Sequence, residues 1–176
     1  MTSNRKMEVL LISPEFFSAI GMMARNIAEA SKDINFYFFS SADIKKHKGE
    51  FLKMTDSVDI IHWLANLSWV KLPPGINPNE FPVPTIATVY HVDGSLRGQG
   101  EKEESSKILF ASQCDAIQVI SSEWKDYVQS RTDTPVFLAR PAINPNVFKA
   151  TRNLKRPGSP FRIGTFGFSR EIKNRK

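Results

Sequence analysis

The chain has almost no cysteine and lacks the compact motifs that identify metal or nucleotide sites. Of its 176 residues only Cys114 is a cysteine, so an intramolecular disulfide is excluded and a reducing compartment suits the protein. Cys114 lies in an apolar stretch, ILFASQCDAIQVI, where core packing explains it better than nucleophilic catalysis. The three histidines are far apart and no Cys/His spacing matches a zinc site, so no metal is predicted. The first loop carries neither a GxGxxG motif nor a P-loop.

Long apolar runs are also missing. None approaches the roughly 20 residues that cross a bilayer. The first apolar run, within MEVLLIS, has only about six residues, fewer than the roughly 7–15 of a secretory signal, and predicts a strand instead. Apolar content of 41% and charged content of 24% are typical of a globular protein. We therefore expect a soluble, cytoplasmic chain with one main domain.

The net charge of +6 is concentrated at the carboxyl end. Residues 151–176 are rich in lysine and arginine and contain one acid, Glu171, whereas the rest of the chain is close to neutral. A solvated linker and an incomplete element explain such a tail better than a dedicated nucleic-acid surface does. No nucleic-acid partner is predicted.

Apolar runs with strand composition alternate with amphipathic segments along the chain. This alternation predicts an α/β fold with a doubly wound, mostly parallel sheet. The predicted strands are Met7–Ser13, Asn35–Ser40, Val58–Trp63, Thr85–Tyr90, Asp115–Ile120 and Thr134–Ala139. The predicted helices are Ala19–Lys32, part of Ser41–Ser57, Glu101–Cys114, and a helix that Ser121 or Ser122 caps.

The domain organisation follows from composition near the carboxyl end. Residues 1–150 are predicted to form the main domain, and 151–160, with two prolines and a glycine, a linker. The run FRIGTF opens a fresh strand at Phe161, and the sequence stops at Lys176. We interpret 161–176 as the incomplete start of a second domain.

The stretch Pro84–Gly94 provides the leading candidate site. Ligands of open α/β sheets gather where strands reach their carboxyl edge, and His91 ends the predicted fourth strand, with Asp93 two residues on. A neutral imidazole there can donate a hydrogen bond to a ligand hydroxyl group while its other nitrogen is held locally. The alternative is a structural histidine bonded to a loop carbonyl.

Five other residues are candidates, each with a structural alternative. Gly21 would let a ligand approach helix N–H groups, or is simply a glycine tolerated at a helix start. His62 and Trp63 end the third strand. His62 either contacts a ligand or is a structural histidine. Trp63 either stacks on a ligand or packs in the core or at the sheet edge. Trp69, in the following loop, has the same two alternatives as Trp63. Ser121 contacts a ligand or caps a helix.

The order of these motifs resembles the amino-terminal, Rossmann-like domain of a GT-B fold glycosyltransferase of the family-four, retaining type. The resemblance covers almost the whole chain and is carried by VDIIHW (58–63), TVYH (88–91), DAIQVISSEWKDYV (115–128), RPAINPNVF (140–148) and FRIGTFGFSREIKN (161–174). The last of these resembles the opening of the carboxyl-terminal, donor-binding domain.

The resemblance implies metal-independent transfer of a sugar from a nucleotide-sugar, a co-substrate rather than a cofactor, with retention at the anomeric carbon. It implies a carbohydrate, lipid-linked or small-molecule acceptor, and it leaves open peripheral membrane contact. It places His91 near the transferred sugar, Gly21 near the donor diphosphate, and Lys173 with Arg170 where they neutralise that diphosphate. Such a fragment is expected to be inactive alone.

The chain departs from the family pattern at three places. Gly21 stands alone where two glycines are usual, Pro141-Ala142-Ile143-Asn144 replaces an Asn-Gly-Val/Ile-Asp turn, and Arg170 is displaced by two residues. A non-catalytic binding or scaffold protein on the same half-fold is therefore the alternative function. A flavodoxin-like regulator is a third hypothesis, but no acidic cluster follows the first strand to make a phosphoacceptor site.

Overall fold

The structure is a computed structural model that describes residues 5–15, 18–64, 73, 75–90 and 107–140. Contacts divide the chain into two units, Met1–Ala142 and Ile143–Lys176. The fold given below is that of the first unit. The predicted linker, the predicted start of a second domain and the turn at 141–144 lie outside the described residues.

Six parallel strands form one sheet, with the order β2-β1-β3-β4-β5-β6. The strands are β1 (Met7–Ser13), β2 (Ile34–Ser40), β3 (Ile60–Trp63), β4 (Thr85–Val89), β5 (Ala116–Val119) and β6 (Val136–Leu138). Each predicted strand is present, with ends no more than two residues from the prediction. The predicted α/β class and parallel, doubly wound, Rossmann-like sheet are confirmed.

Helices connect the strands, and serine side chains begin three of them. The helices are α1 (Ala19–Ala30), α2 (Ser41–Lys46), α3 (Lys48–Thr55), a single 3-10 turn (Pro78–Glu80), a described helical stretch at 107–111, and α4 (Ser122–Gln129). Ser18, Ser40 and Ser121 each accept a hydrogen bond from a backbone N–H group in the first turn, which satisfies a donor that the helix cannot pair itself. Of the two predicted caps for α4, Ser121 is the one used.

Strand β1 is buried on both faces, as expected for a parallel sheet that helices cover on two sides. Its side chains alternate between two apolar clusters: Leu10 and Ile12 join the larger cluster, whereas Val9 and Leu11 join the smaller one. Ala24 of α1 belongs to the smaller cluster. Residues of α2, α3 and α4, among them Ile44, Phe51 and Val128, belong to the larger cluster. The sheet therefore carries helices on both faces.

Two aspartates secure the amino edge of the sheet. Asp115, just before β5, accepts hydrogen bonds through Oδ2 from the backbone N–H (2.7 Å) and the hydroxyl group (2.9 Å) of Thr85. Asp59, just before β3, accepts one from the backbone N–H of Glu8 at 2.8 Å. Each aspartate also returns its own N–H to the carbonyl oxygen of its partner residue. These two aspartates thus fix the register of neighbouring strands.

We expect Asp115→Ala to lower the free energy of unfolding by about 1–3 kcal/mol, because the buried N–H of Thr85, a residue only 1% exposed, would lose its acceptor. Urea unfolding followed by circular dichroism measures this. Asp126→Ala on the exposed surface of α4 is the matched control and should change stability by less than about 0.5 kcal/mol. Equal effects of the two substitutions would contradict this account of Asp115.

Candidate functional site

The strand order places a topological switch point between β1 and β3. The chain leaves β1 toward β2 on one side and returns on the other side at β3. Connections that diverge in this way leave a crevice at the carboxyl ends of the two strands, where ligands of open α/β sheets bind. Ser13 ends β1 and Trp63 ends β3 at this edge, and Leu64 N–H extends the pairing to Ile12 O at 2.8 Å. The carboxyl edge is therefore the reference for the positions of the candidate residues.

Gly21 lies in the first turn of α1, and its N–H group is already engaged. It donates to Ser18 Oγ at 3.1 Å, while Ser18 Oγ donates in turn to Glu15 O at 2.7 Å. Met22 N–H donates to the Ser18 carbonyl oxygen at 2.9 Å. Ser18 therefore satisfies the Gly21 N–H group from within the chain. The N–H group of Gly21 could contact a ligand phosphate only if the Ser18 cap opened.

Trp63 ends β3 but points into the core. Its side chain is 1% exposed and packs with Phe51, Phe81 and Phe110, at ring-centroid distances of 6.3, 6.2 and 6.1 Å. Of the two alternatives for Trp63, stacking on a sugar and packing, the structure shows packing against other aromatic rings.

His62 projects from the opposite face of β3 and begins a chain of polar contacts across three adjacent strands. Its Nε2 lies 2.8 Å from Thr88 Oγ1 on β4. The Thr88 hydroxyl group lies 3.3 Å from Gln118 Oε1 on β5, to which it donates. Gln118 Nε2 donates to the carbonyl oxygen of Ala139, just beyond β6, at 3.2 Å. We call these three side chains and the Ala139 carbonyl group the polar chain.

Burial sets the protonation state of His62. Loss of solvation on burial disfavours the imidazolium ion and lowers the pKa of His62 from 6.5 to about 4. His62 is therefore neutral at pH 7, and it has the two properties of a neutral imidazole, one N–H donor and one acceptor nitrogen. The polar chain carries no net charge.

Ser121 and Cys114 have structural roles. Ser121 Oγ accepts a hydrogen bond from Trp124 N–H at 3.3 Å and caps α4, so the capping alternative holds for this residue. Cys114 is 3% exposed within the larger apolar cluster, and burial raises the pKa of its thiol to about 12. A thiol in that environment is not a nucleophile at neutral pH.

Several predicted site residues lie outside the described part of the chain. These are His91, Asp93, Arg170 and Lys173, together with Trp69. Within the described ranges, no group of three histidine, cysteine, aspartate or glutamate side chains is arranged to hold a metal ion. The same ranges contain no helix with the length and apolar character needed to cross a membrane.

The sequence analysis did not single out Thr88 or Gln118, the two residues that continue from His62. The sequence does contain a feature that could have indicated them, because each is a polar residue inside a short apolar strand, TIATV for Thr88 and AIQV for Gln118. Thr88 and Gln118 are also register partners in the sheet, which only the strand pairing reveals.

A cavity of about 300 Å³ lies at the amino end of the sheet, far from this edge. It is lined by Pro78, Asn79, Phe81, Pro82, Val83, Pro84, Gln113 and Asp115. The carboxylate group of Asp115 is already used to hold Thr85, and prolines form much of the wall. We assign the polar chain, rather than this cavity, as the candidate functional site.

Comparisons with protein-family models, with curated proteins and with solved structures find no match to this chain. Support for the candidate site therefore comes from the geometry of this chain alone.

The buried, neutral state of His62 predicts a pH dependence of stability. As the pH falls from 6.5 to about 4, the unfolded chain binds a proton at His62 and the folded chain does not, so the free energy of unfolding decreases. The loss approaches about 3 kcal/mol at most and is complete below the pKa of the folded state.

Urea unfolding of the wild-type chain and of His62→Gln across pH 4–7 tests this, since the variant cannot titrate at this position. The stability difference between the two proteins should shrink or reverse as the pH falls. Parallel curves over that range would show that His62 is not held neutral by the fold.

Proposed function

We propose that this chain is the acceptor-side domain of a retaining, sugar-nucleotide-dependent glycosyltransferase. The observation that carries the proposal is the polar chain, an uncharged set of hydrogen-bonding side chains near the carboxyl ends of β3, β4 and β5. Those three strands belong to the segments VDIIHW, TVYH and DAIQVI, on which the resemblance to this enzyme class rests. A cytoplasmic location and a carbohydrate, lipid-linked or small-molecule acceptor are part of the proposal.

The chemistry of the polar chain suits a hydroxyl-bearing ligand. Sugar hydroxyl groups both donate and accept hydrogen bonds, and neutral imidazole, hydroxyl and amide groups can match them without introducing a charge. A charged ligand would instead call for lysine or arginine near the site. The ion pairs Arg5–Asp59 and His47–Glu50 do not involve the polar chain.

In the proposed reaction the bond between the anomeric carbon and the donor phosphate oxygen breaks. The acceptor oxygen forms a new bond to the same face of that carbon, and its proton passes to the departing phosphate oxygen. No metal ion takes part. In this proposal His91 donates a hydrogen bond to the transferred sugar, and Arg170 and Lys173 neutralise the departing diphosphate.

A specific observation favours a second candidate, a non-catalytic carbohydrate-binding or scaffold protein. Ser18 Oγ accepts a hydrogen bond from the N–H group of Gly21, the residue that the resemblance places near the donor diphosphate. An enzyme of the proposed class would need that helix end to accept phosphate oxygens. A scaffold on the same half-fold would have no such need.

Calorimetric titration separates the two candidates. UDP, GDP and their common sugar conjugates are titrated into the 176-residue chain and into the longest natural form of the protein. The transferase proposal expects the longest form to bind one nucleotide-sugar, and His91→Ala to weaken binding of the conjugate at least tenfold while leaving the bare nucleotide largely unaffected.

His47→Ala is the matched control, because His47 lies on the surface between α2 and α3, away from the carboxyl edge of β4. It should bind as the wild-type protein does. If neither form binds any nucleotide or conjugate, the transferase proposal is wrong and the scaffold candidate takes its place.

A further inference from the structure

Hydrogen-bond chemistry fixes which group donates and which accepts at each contact of the polar chain, starting from the Ala139 carbonyl group. The carbonyl oxygen of Ala139 can only accept, so the Gln118 amide group must turn its NH₂ toward it. Gln118 Oε1 then faces Thr88 and, being an acceptor only, must receive the Thr88 hydroxyl proton. With its one proton committed, Thr88 Oγ1 can only accept from His62 Nε2 at 2.8 Å.

We infer that His62 is fixed as the Nε2–H tautomer and that its Nδ1 is an acceptor site for the hydroxyl or amide N–H donor of an uncharged ligand, such as a sugar or another polyol. Among the described residues Nε2 is committed to Thr88, and no hydrogen bond between them involves Nδ1. The inference rests on the proposed function only for the identity of the ligand as a sugar. The tautomer follows from the polar chain itself.

The imidazole group leans toward the carboxyl edge of the sheet. The register partner of His62 on β4 is Ile86, yet Nε2 reaches Thr88, which lies two residues further along the strand. The ring thus extends along the strand direction toward the carboxyl edge of the sheet. That edge is where ligands of doubly wound sheets bind.

The acceptor character of Nδ1 selects the class of ligand. An unprotonated ring nitrogen attracts an O–H or N–H donor and repels a phosphate or carboxylate oxygen, because both carry lone pairs. The fixed tautomer keeps the site from presenting an N–H donor at Nδ1 to an anion. The site therefore suits the acceptor or the sugar moiety of a donor, and not its diphosphate.

Long-range ¹H–¹⁵N correlation spectra of the ¹⁵N-histidine-labelled, full 176-residue chain test the tautomer at pH 7. We expect His62 to show a protonated-type Nε2 shift and an unprotonated-type Nδ1 shift. Thr88→Val, which removes the hydroxyl group and nearly preserves the shape, should shift both resonances toward a tautomer mixture. Thr88→Ser, which restores the hydroxyl group, should return them. A predominant Nδ1–H form in the wild-type chain would overturn the inference.

The ligand is tested with the same spectra, using glucose and glycerol as neutral probes and sulfate, which carries no O–H donor at pH 7, as the anion. Saturable binding of a neutral probe should shift the Nδ1 resonance in the direction expected for a new donor, and sulfate should leave it unchanged. An Nδ1 shift with sulfate alone, or no shift with any polyol, would overturn the assignment of the ligand class. Neither result depends on nucleotide binding, so failure here is distinguishable from failure of the transferase proposal.

His62→Gln serves as the binding control, and the His47 resonances in each spectrum serve as an internal reference. If a neutral sugar binds the wild-type chain, the His62→Gln variant should bind it at least tenfold more weakly. Unchanged affinity in the variant would contradict a contact at Nδ1.

Discussion

The structure depends on the burial of strand β1 between two helical layers. Leu10 and Ile12 need apolar cover on one face of the sheet, and Val9 and Leu11 need it on the other. Crossovers between parallel strands are right-handed, so the direction in which the chain moves along the sheet decides which face its connecting helix covers. Helices on both faces therefore require movement in both directions, with β2 on one side of β1 and β3 on the other. The switch point at the carboxyl edge is a direct consequence. The same constraint that buries the core therefore creates the place where a ligand can bind.

The buried polar side chain of Thr88 within this sheet has hydrogen-bond partners on the neighbouring strands. Thr88 is 1% exposed and lies in a strand flanked by strands on both sides, so an unpaired hydroxyl group there would be costly. Its neighbours His62 and Gln118 satisfy it, and Ala139 O closes the chain beyond β6. Removal of Gln118 would leave the buried Thr88 hydroxyl group without its acceptor, so the members of the network depend on one another. Its position near the carboxyl edge joins the apolar core to the proposed ligand site.

The two ends of the sheet serve different purposes. At the amino end, Asp59 and Asp115 use their carboxylate groups to hold the backbone of the neighbouring strand, so these acids are structural. At the carboxyl end, serine caps begin α1 and α4, and the uncharged polar chain lies between the strands. The two aspartates thus hold the register of neighbouring strands at the amino edge, whereas the polar chain lies near the carboxyl edge.

The sequence by itself determined the strands and the serine cap of α4, because these depend on local apolar runs and on the hydrogen bonds of a few neighbouring residues. The alternation of strands and helices determined the parallel arrangement, and the sequence also placed His62 near the carboxyl end of a strand. Only the tertiary structure decided which way each side chain points: Trp63 enters an aromatic cluster, whereas His62, one residue earlier, meets Thr88. The partnership of His62, Thr88 and Gln118 joins residues 26 and 30 positions apart, and no local pattern encodes such distances. The cap of α1 is local, since Ser18 and Gly21 are three residues apart, but the sequence shows only a glycine at residue 21 and not that Ser18 Oγ holds its N–H group.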